Sequence, residues 1–219
     1  MKRCAIIGLG AFGFYLAKSL HEKGLEVLAI DKSKEVVQRV RDFCSRAVIA
    51  DASEKETLIS LNVPDVDFAV VGLGTRLDHS ILVTMHLKEL GVREIIVKAI
   101  SDDHAKILTM LGATEVVFPE RDMAVKVATS LVSPNLVDHL PIMEGYSIIE
   151  IGAPREFIGK SLKDLQLRNT YGVQVIAIRE LIPERVSMSP SADFVIKDSD
   201  VLILMGDDKA LAKISPQER

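Results

Sequence analysis

Tryptophan is absent from this 219-residue chain, cysteine occurs twice, tyrosine three times, and aromatic residues make up 5% of the whole. Two cysteines cannot build a disulfide-stapled secreted scaffold, so the core has to come from aliphatic packing. Cys4 lies in the first apolar run and Cys44 at an expected helix end. Both read as reduced thiols of a cytosolic protein. No run of about 20 apolar residues occurs, which excludes a spanning helix within the sequence. Lys2-Arg3 before an apolar run resembles the start of a signal peptide, but three glycines and Lys18 interrupt the run and no small-residue cleavage site follows. With 31 acidic against 27 basic residues the net charge is −4. That balance argues against broad electrostatic binding, so no nucleic-acid partner is expected.

Several chemical signatures are also missing. The phosphate-loop pattern GxxxxGK[ST] does not occur, and neither does metal-ligand spacing. Histidines 21, 79, 86, 104 and 139 all precede residue 141, as do both cysteines. None of Tyr15, Tyr146 and Tyr171 has a lysine four residues later, so the acid–base pair of short-chain reductases is lacking. A dehydrogenase needs such a proton donor or acceptor beside its nicotinamide.

What is present is alternation. Short β-branched runs at residues 4–7, 26–30, 46–50, 67–71, 94–99 and 115–118 are separated by helical patterns at 12–23, 33–43, 54–61, 77–90 and 102–111. A further amphipathic stretch begins near Pro119 and is expected to run to about His139. Apolar strands joined by helices predict a Rossmann-like, doubly wound parallel α/β sheet. After Pro141 the rhythm changes to three strand-like runs, "YSIIEIGAP", "VQVIAIRE" and "DVLILMGDD", with short helices at 161–165 and 207–214. We read residues 1–140 as a nucleotide-binding domain and 141–219 as a small α+β domain, of a size that often pairs with its own copy.

The nucleotide assignment starts at "CAIIGLGAFGFYLAKSL". Gly8 permits the tight turn, Gly10 admits a pyrophosphate to the backbone, and Gly13 lets the helix pack on the sheet. The helix N-terminus adds unpaired N–H groups and a positive dipole end. Asp31 closes "EVLAID" at the distance from the glycines where a carboxylate receives the ribose diol; it equally suits capping the next helix together with Ser33. Lys32 beside it weakens any exclusion of a 2′-phosphate. Asp51-Ala52-Ser53 falls at the adenine edge, and Asp51 or Ser53 also fits an N-cap for "EKETLISL". Leu73-Gly74-Thr75 and Lys98 lie at carboxyl ends of strands, the ligand-binding edge of such sheets. A charge in the strand "IIVKAI" demands a phosphate or carboxylate partner. His104 reads as a surface residue or a ligand contact. Glu120 complements the dipole of its helix, or faces phosphates through a bridging divalent cation.

Together "AIIGLGAFG", "EVLAID", "AVIADASEKETL", "IIVKAISDDH", "GATEVVFPERDMAVKVATSL" and "YGVQVIAI" resemble the cytosolic regulatory subunits of Trk/Ktr-type potassium transporters, an RCK (KTN) domain followed by an RCK C-terminal domain. The resemblance spans nearly the whole chain. It implies nucleotide contacts at Gly8, Gly10, Ala11, Phe12, Gly13, Asp31, Lys32, Ser33, Asp51, Ala52, Leu73, Gly74, Thr75, Lys98, Ala99, Ile100, His104 and Glu120. It implies an adenine nucleotide (ATP, ADP, AMP or NAD(H)), Mg or Ca at Glu120 on a subunit interface, and dimers assembled into an octameric ring beneath a membrane-embedded transporter. Some relatives bind a cyclic dinucleotide on the C-terminal domain, where Arg168, Asn169 and "MSPSADF" lie here. The alternative reading is an NAD-dependent oxidoreductase whose small domain binds substrate.

One departure is sharp. Similar proteins often carry an arginine where this chain has Ala11, and that arginine reaches the terminal phosphate of ATP. Without it, AMP, ADP or NAD(H) gains as the resting ligand, unless Lys98 or a neighbouring subunit supplies the charge. Ala11→Arg is therefore expected to strengthen ATP binding several-fold more than ADP binding in calorimetry, as a new charge-assisted contact requires. Equal gains for both nucleotides would contradict this reading of position 11.

Overall fold

The computed structural model describes residues 2–74, 76–132 and 136–214. Its contacts divide the chain into two units, Met1–Asp122 and Met123–Arg219. In the first, strands β1 (Arg3–Ile7), β2 (Glu26–Asp31), β3 (Arg46–Ile49), β4 (Phe68–Val71), β5 (Glu94–Lys98) and β6 (Glu115–Val117) form one parallel sheet in the order β3-β2-β1-β4-β5-β6. The crossovers are α1 (Ala11–Glu22), α2 (Lys34–Val40), α3 (Lys55–Ser60), α4 (Leu77–Glu89) and α5 (Asp102–Met110).

Two-residue alternation sends the side chains of β1 to opposite faces, and both faces are apolar. Cys4 and Ile6 pack with Ala17 of α1 and Val37 and Val40 of α2. Ala5 and Ile7 pack on the other face with Leu58 of α3, Val83 and Leu87 of α4 and Leu108 of α5. Cys4 and Cys44 are buried free thiols; burial pushes Cys4 up to about 12, helped by Asp67, and raises Cys44 as well. The order places β2 and β4 on opposite sides of β1. The winding reverses there, and the crevice beyond Ile7 is the switch point where such sheets bind ligands.

Helix α6 (Pro119–Val132) follows β6 and stops earlier than the expected His139. Pro134 in the sequence cannot continue a helix, and the residue before a proline is biased towards extended backbone. His139 instead lies in strand β7 (Leu136–Met143). The second unit continues with β8 (Tyr146–Gly152), α7 (Leu162–Leu165), α8 (Leu167–Tyr171), β9 (Gln174–Leu181), β10 (Glu184–Met188), β11 (Asp200–Asp207) and α9 (Asp208–Ile214). Its antiparallel sheet runs β10-β9-β11-β8-β7. Five strands stand where three strand-like runs were expected. The two additional ones, β7 and β10, are the sheet edges, whose exposed residues blur the apolar alternation that marks a strand. Ile149, Ile151, Ile178, Leu202 and Leu204 form the core with Phe157, Leu167 and Leu211. Among the described residues no helix is long and apolar enough to cross a membrane.

Candidate functional site: a nucleotide cleft at the switch point

Gly8 adopts φ +89, a region that side chains rarely enter. A Cβ on Gly13 would overlap the Gly8 carbonyl oxygen, so the first turn of α1 can lie against the end of β1 because position 13 is glycine. Gly10 is the N-cap of α1, with no capping side chain and no acidic residue in the first turn. A Cβ there would meet nothing within 4 Å. The positive end of α1 is thus left uncompensated beside open space, as an anion site requires. Ala11 opens the helix and contributes no charge.

Asp31 holds this turn in place. Its Oδ2 accepts the Leu9 N–H at 2.7 Å and its Oδ1 accepts the Ser33 N–H at 2.8 Å. Ser33 in turn caps α2, accepting from the Val36 N–H at 3.4 Å. A carboxylate has about four lone-pair sites, so two remain for a ribose diol. Capping and ribose recognition are compatible here.

A cleft of about 260 Å³ opens over these groups, lined by Gly8, Asp31, Lys32, Ser33, Asp51, Ala52 and Leu73 from the expected set, together with Ile7, Ile30, Ala50, Ser53, Arg76 and His79. Lys32 Nζ pairs with Asp51 Oδ2 at 2.7 Å. Asp51 Oδ1 accepts from the Ser53 N–H at 2.9 Å and the Ser53 hydroxyl at 2.5 Å. Neither Asp51 nor Ser53 caps α3, whose N-cap is Glu54. The capping role weighed for them therefore falls away, and Asp51 instead braces the turn at the cleft wall. Burial would push the Asp51 carboxyl up, but hydrogen bonds from Lys32 and Ser53 outweigh it and hold it at about 2, below its ordinary 3.8.

The remaining expected residues lie elsewhere. Phe12 packs against the core of its sheet face, and Gly13 is buried within α1. Lys98 finds a carboxylate partner as its strand position demands: its ammonium donates to Glu120 Oε1 in the first turn of α6. That hydrogen bond holds the Glu120 carboxyl below its usual range, against a smaller opposing effect of burial. A Cβ on Gly74 would crowd the Lys98 side chain at 3.0 Å, and Ile100 lies next to it at 3.4 Å. Ala99 is buried in the core. Lys98, Gly74, Ile100 and Glu120 thus form a second group, which Leu73, packed on Gly8, links to the cleft. His104 is buried at 3% exposure, not at the surface; its Nε2 lies 2.9 Å from Ser80 Oγ on α4, and burial lowers its pKa. Thr75 lies outside the described residues. Arg76 and His79 were not anticipated, because each carries no local motif and reaches the cleft only through the fold.

Glu120 offers one carboxylate, already engaged by Lys98. Among the described residues no three His, Cys, Asp or Glu side chains gather as a metal site. In the second unit, Ser147 Oγ donates to Asp208 Oδ1 at 2.7 Å and lies 2.9 Å from His139 Nε2. The serine proton points to aspartate, so His139 is the donor to the hydroxyl; a nucleophilic serine would need the opposite polarity.

A doubly wound sheet with a glycine turn at its switch point defines a dinucleotide-binding fold. Residues 4–119 match the TrkA-N domain and residues 146–217 the TrkA-C domain. The chain is 41% identical over 205 residues to the Ktr system potassium uptake protein C of Bacillus subtilis (strain 168), covering 94% of this chain and 92% of that one. It is 37% identical over 212 residues to the Ktr system potassium uptake protein A of the same organism, covering 97% and 95% respectively. Among solved structures, the GsuK Channel superimposes with a TM-score of 0.68 at 17% identity, over 99% of this chain and 39% of that chain, a likeness of fold. The chain belongs to the family of TrkA-N/TrkA-C proteins that includes the Ktr system potassium uptake proteins.

The depressed Asp51 value has a consequence for stability. A carboxylate whose folded-state pKa is lowered contributes stability that is present above its unfolded value and is lost as pH falls through the folded one. In urea denaturation, the stability gap between the protein and Asp51→Asn is expected to stay constant above about pH 4 and to close as pH approaches about 2. A gap unchanged at the acid end would contradict the Lys32–Asp51 pairing.

Proposed function

We propose that this protein is the nucleotide-sensing regulatory subunit of a potassium uptake transporter. It sits on the cytoplasmic side of the membrane through its transporter partner and works without catalysing a reaction on the nucleotide. The observation that carries the reading is a complete glycine turn around which, among the described residues, no reaction chemistry gathers. The glycines, the uncapped α1 and the Asp31–Asp51 wall provide for an adenine nucleotide. Among the described residues the titratable ring that lines the cleft is His79, which stands against Lys32, itself paired with Asp51. The oxidoreductase alternative needs a proton donor placed beside a nicotinamide.

In this reading the copies assemble as dimers into an octameric ring, and ligands of different phosphate content favour different ring shapes. A nucleotide shifts such an equilibrium only by its difference in affinity between the shapes. A divalent cation at Glu120, Mg or Ca, would draw its remaining ligands from phosphate oxygens, water or a second copy. A cyclic dinucleotide is assigned to the depression of about 210 Å³ in the second unit where Arg168, Asn169 and Gln166 gather. The "MSPSADF" segment adjoins it, with the Phe194 carbonyl accepting the Leu162 N–H at 3.0 Å.

Native mass spectrometry tests ring size and ligand together. The purified protein is expected at eight times 24.0 kDa with bound adenine nucleotide. Asp31→Ala is expected to keep the ring while its nucleotide affinity falls about tenfold or more, the loss expected for hydrogen bonds to a charged group. A variant that retains nucleotide as tightly as the parent would remove Asp31 from the ribose role. Turnover of NADH by the intact ring would favour the oxidoreductase.

A further inference from the structure

Three basic side chains meet in the cleft from opposite sides of β1. Lys32 comes from the turn after β2, while Arg76 and His79 come from the start of α4, which follows β4. Lys32 Nζ lies 3.2 Å from His79 Nδ1, and Arg76 Nη1 lies 3.4 Å from His79 Nε2. Because β2 and β4 flank β1, the three close across the strand that ends at the glycine turn.

Their charges are unevenly matched. Asp51 pairs with Lys32 at 2.7 Å, and the Asp78 carboxylate stands 3.6 Å from His79 Nε2. Arg76 has no carboxylate within ion-pair distance among the described residues. The ring between the two cations cannot satisfy both. A neutral imidazole has one N–H and one accepting lone pair, and a protonated one has two N–H groups. Accepting from Lys32 at Nδ1, the shorter contact, puts the proton on Nε2 and turns an N–H towards Arg76. The Arg76 donor is then left facing another donor, beside a cleft lined by Gly8, Asp31 and Asp51. The group that answers such an arrangement is an oxyanion. An arginine fork matches two phosphate oxygens at once.

We propose that Arg76, flanked by His79 and Lys32, is the phosphate-recognition element of this cleft. It supplies from the α4 side the cation that Ala11 does not supply from the glycine turn. The proposal rests on the nucleotide reading of the cleft. Its ligand is a phosphate group of an adenine nucleotide; a 5′ phosphate chain and a ribose phosphate monoester share that chemistry.

Calorimetry on the full chain with adenosine, AMP, ADP, NAD and NADP tests it, comparing the protein with Arg76→Gln. Arg76 is exposed, so the variant is expected to unfold at the parent's midpoint. Adenosine affinity is expected to change by less than about twofold, while at least one phosphorylated ligand weakens about tenfold or more. Loss with ADP assigns the contact to the 5′ chain, and loss with NADP alone assigns it to a ribose phosphate. Added salt is expected to narrow the affinity gap between that ligand and adenosine in the parent, and to narrow it less in the variant. Equal losses for adenosine and every phosphorylated ligand, or no loss for any, would overturn the proposal and leave the cleft's nucleotide reading intact. A parent protein that binds none of the five would overturn that reading itself.

Discussion

The carboxylate of Asp31 accepts the backbone N–H of Leu9 and that of Ser33, so one side chain ties the glycine turn after β1 to the start of α2. The rest of the cleft depends on this bond pair. The turn can form because Gly8 takes a left-handed backbone and because position 13 has no Cβ to strike the Gly8 carbonyl. Asp31 then fixes the turn against β2, and Gly10 remains at the open end of α1. A side chain at position 13 would push α1 off the end of β1, one at position 8 would strike Leu73, and loss of the carboxylate would leave the Leu9 donor without its partner. Those two constraints explain why the uncapped end of α1 and the Asp31 carboxylate stand together.

Around that centre, charges are matched in pairs that a ligand can exchange. Lys32 is held by Asp51 and Lys98 by Glu120, the second pair joining the end of β5 to the first turn of α6. A phosphate entering near either pair competes with a carboxylate already there. Such competition would loosen the link that each pair makes between elements. A cleft wired in this way suits the regulatory role proposed above, since binding would be felt between elements. The family's potassium uptake role and this exchangeable wiring point the same way.

The parts that were legible in the sequence are those whose constraints are local. Gly8, Gly10 and Gly13 follow a strand and open a helix, and Asp31 ends the next strand; each reads from spacing alone. Lys98 was legible as a charge that had to find a partner, because its strand is otherwise apolar. What was not legible depends on distant residues. His79 meets Lys32 across 47 positions of sequence, so no window of the chain links them. His104 looks polar and exposed in "SDDHAKIL", yet packing of α5 on α4 buries it against Ser80. Edge strands β7 and β10 were hidden because strands with exposed faces lack clean alternation, and α6 stops at Val132 although the amphipathic pattern appeared to continue.

A nucleotide that acts as a signal and not a reagent changes transport without being consumed. The direct measurement is potassium flux through membranes that hold the transporter and this subunit, with the adenine nucleotide exchanged and then recovered by chromatography. Flux is expected to change with the phosphate content of the nucleotide, and the nucleotide to be recovered chemically unaltered. Flux indifferent to the nucleotide, or nucleotide consumed in step with flux by this subunit alone, would contradict it.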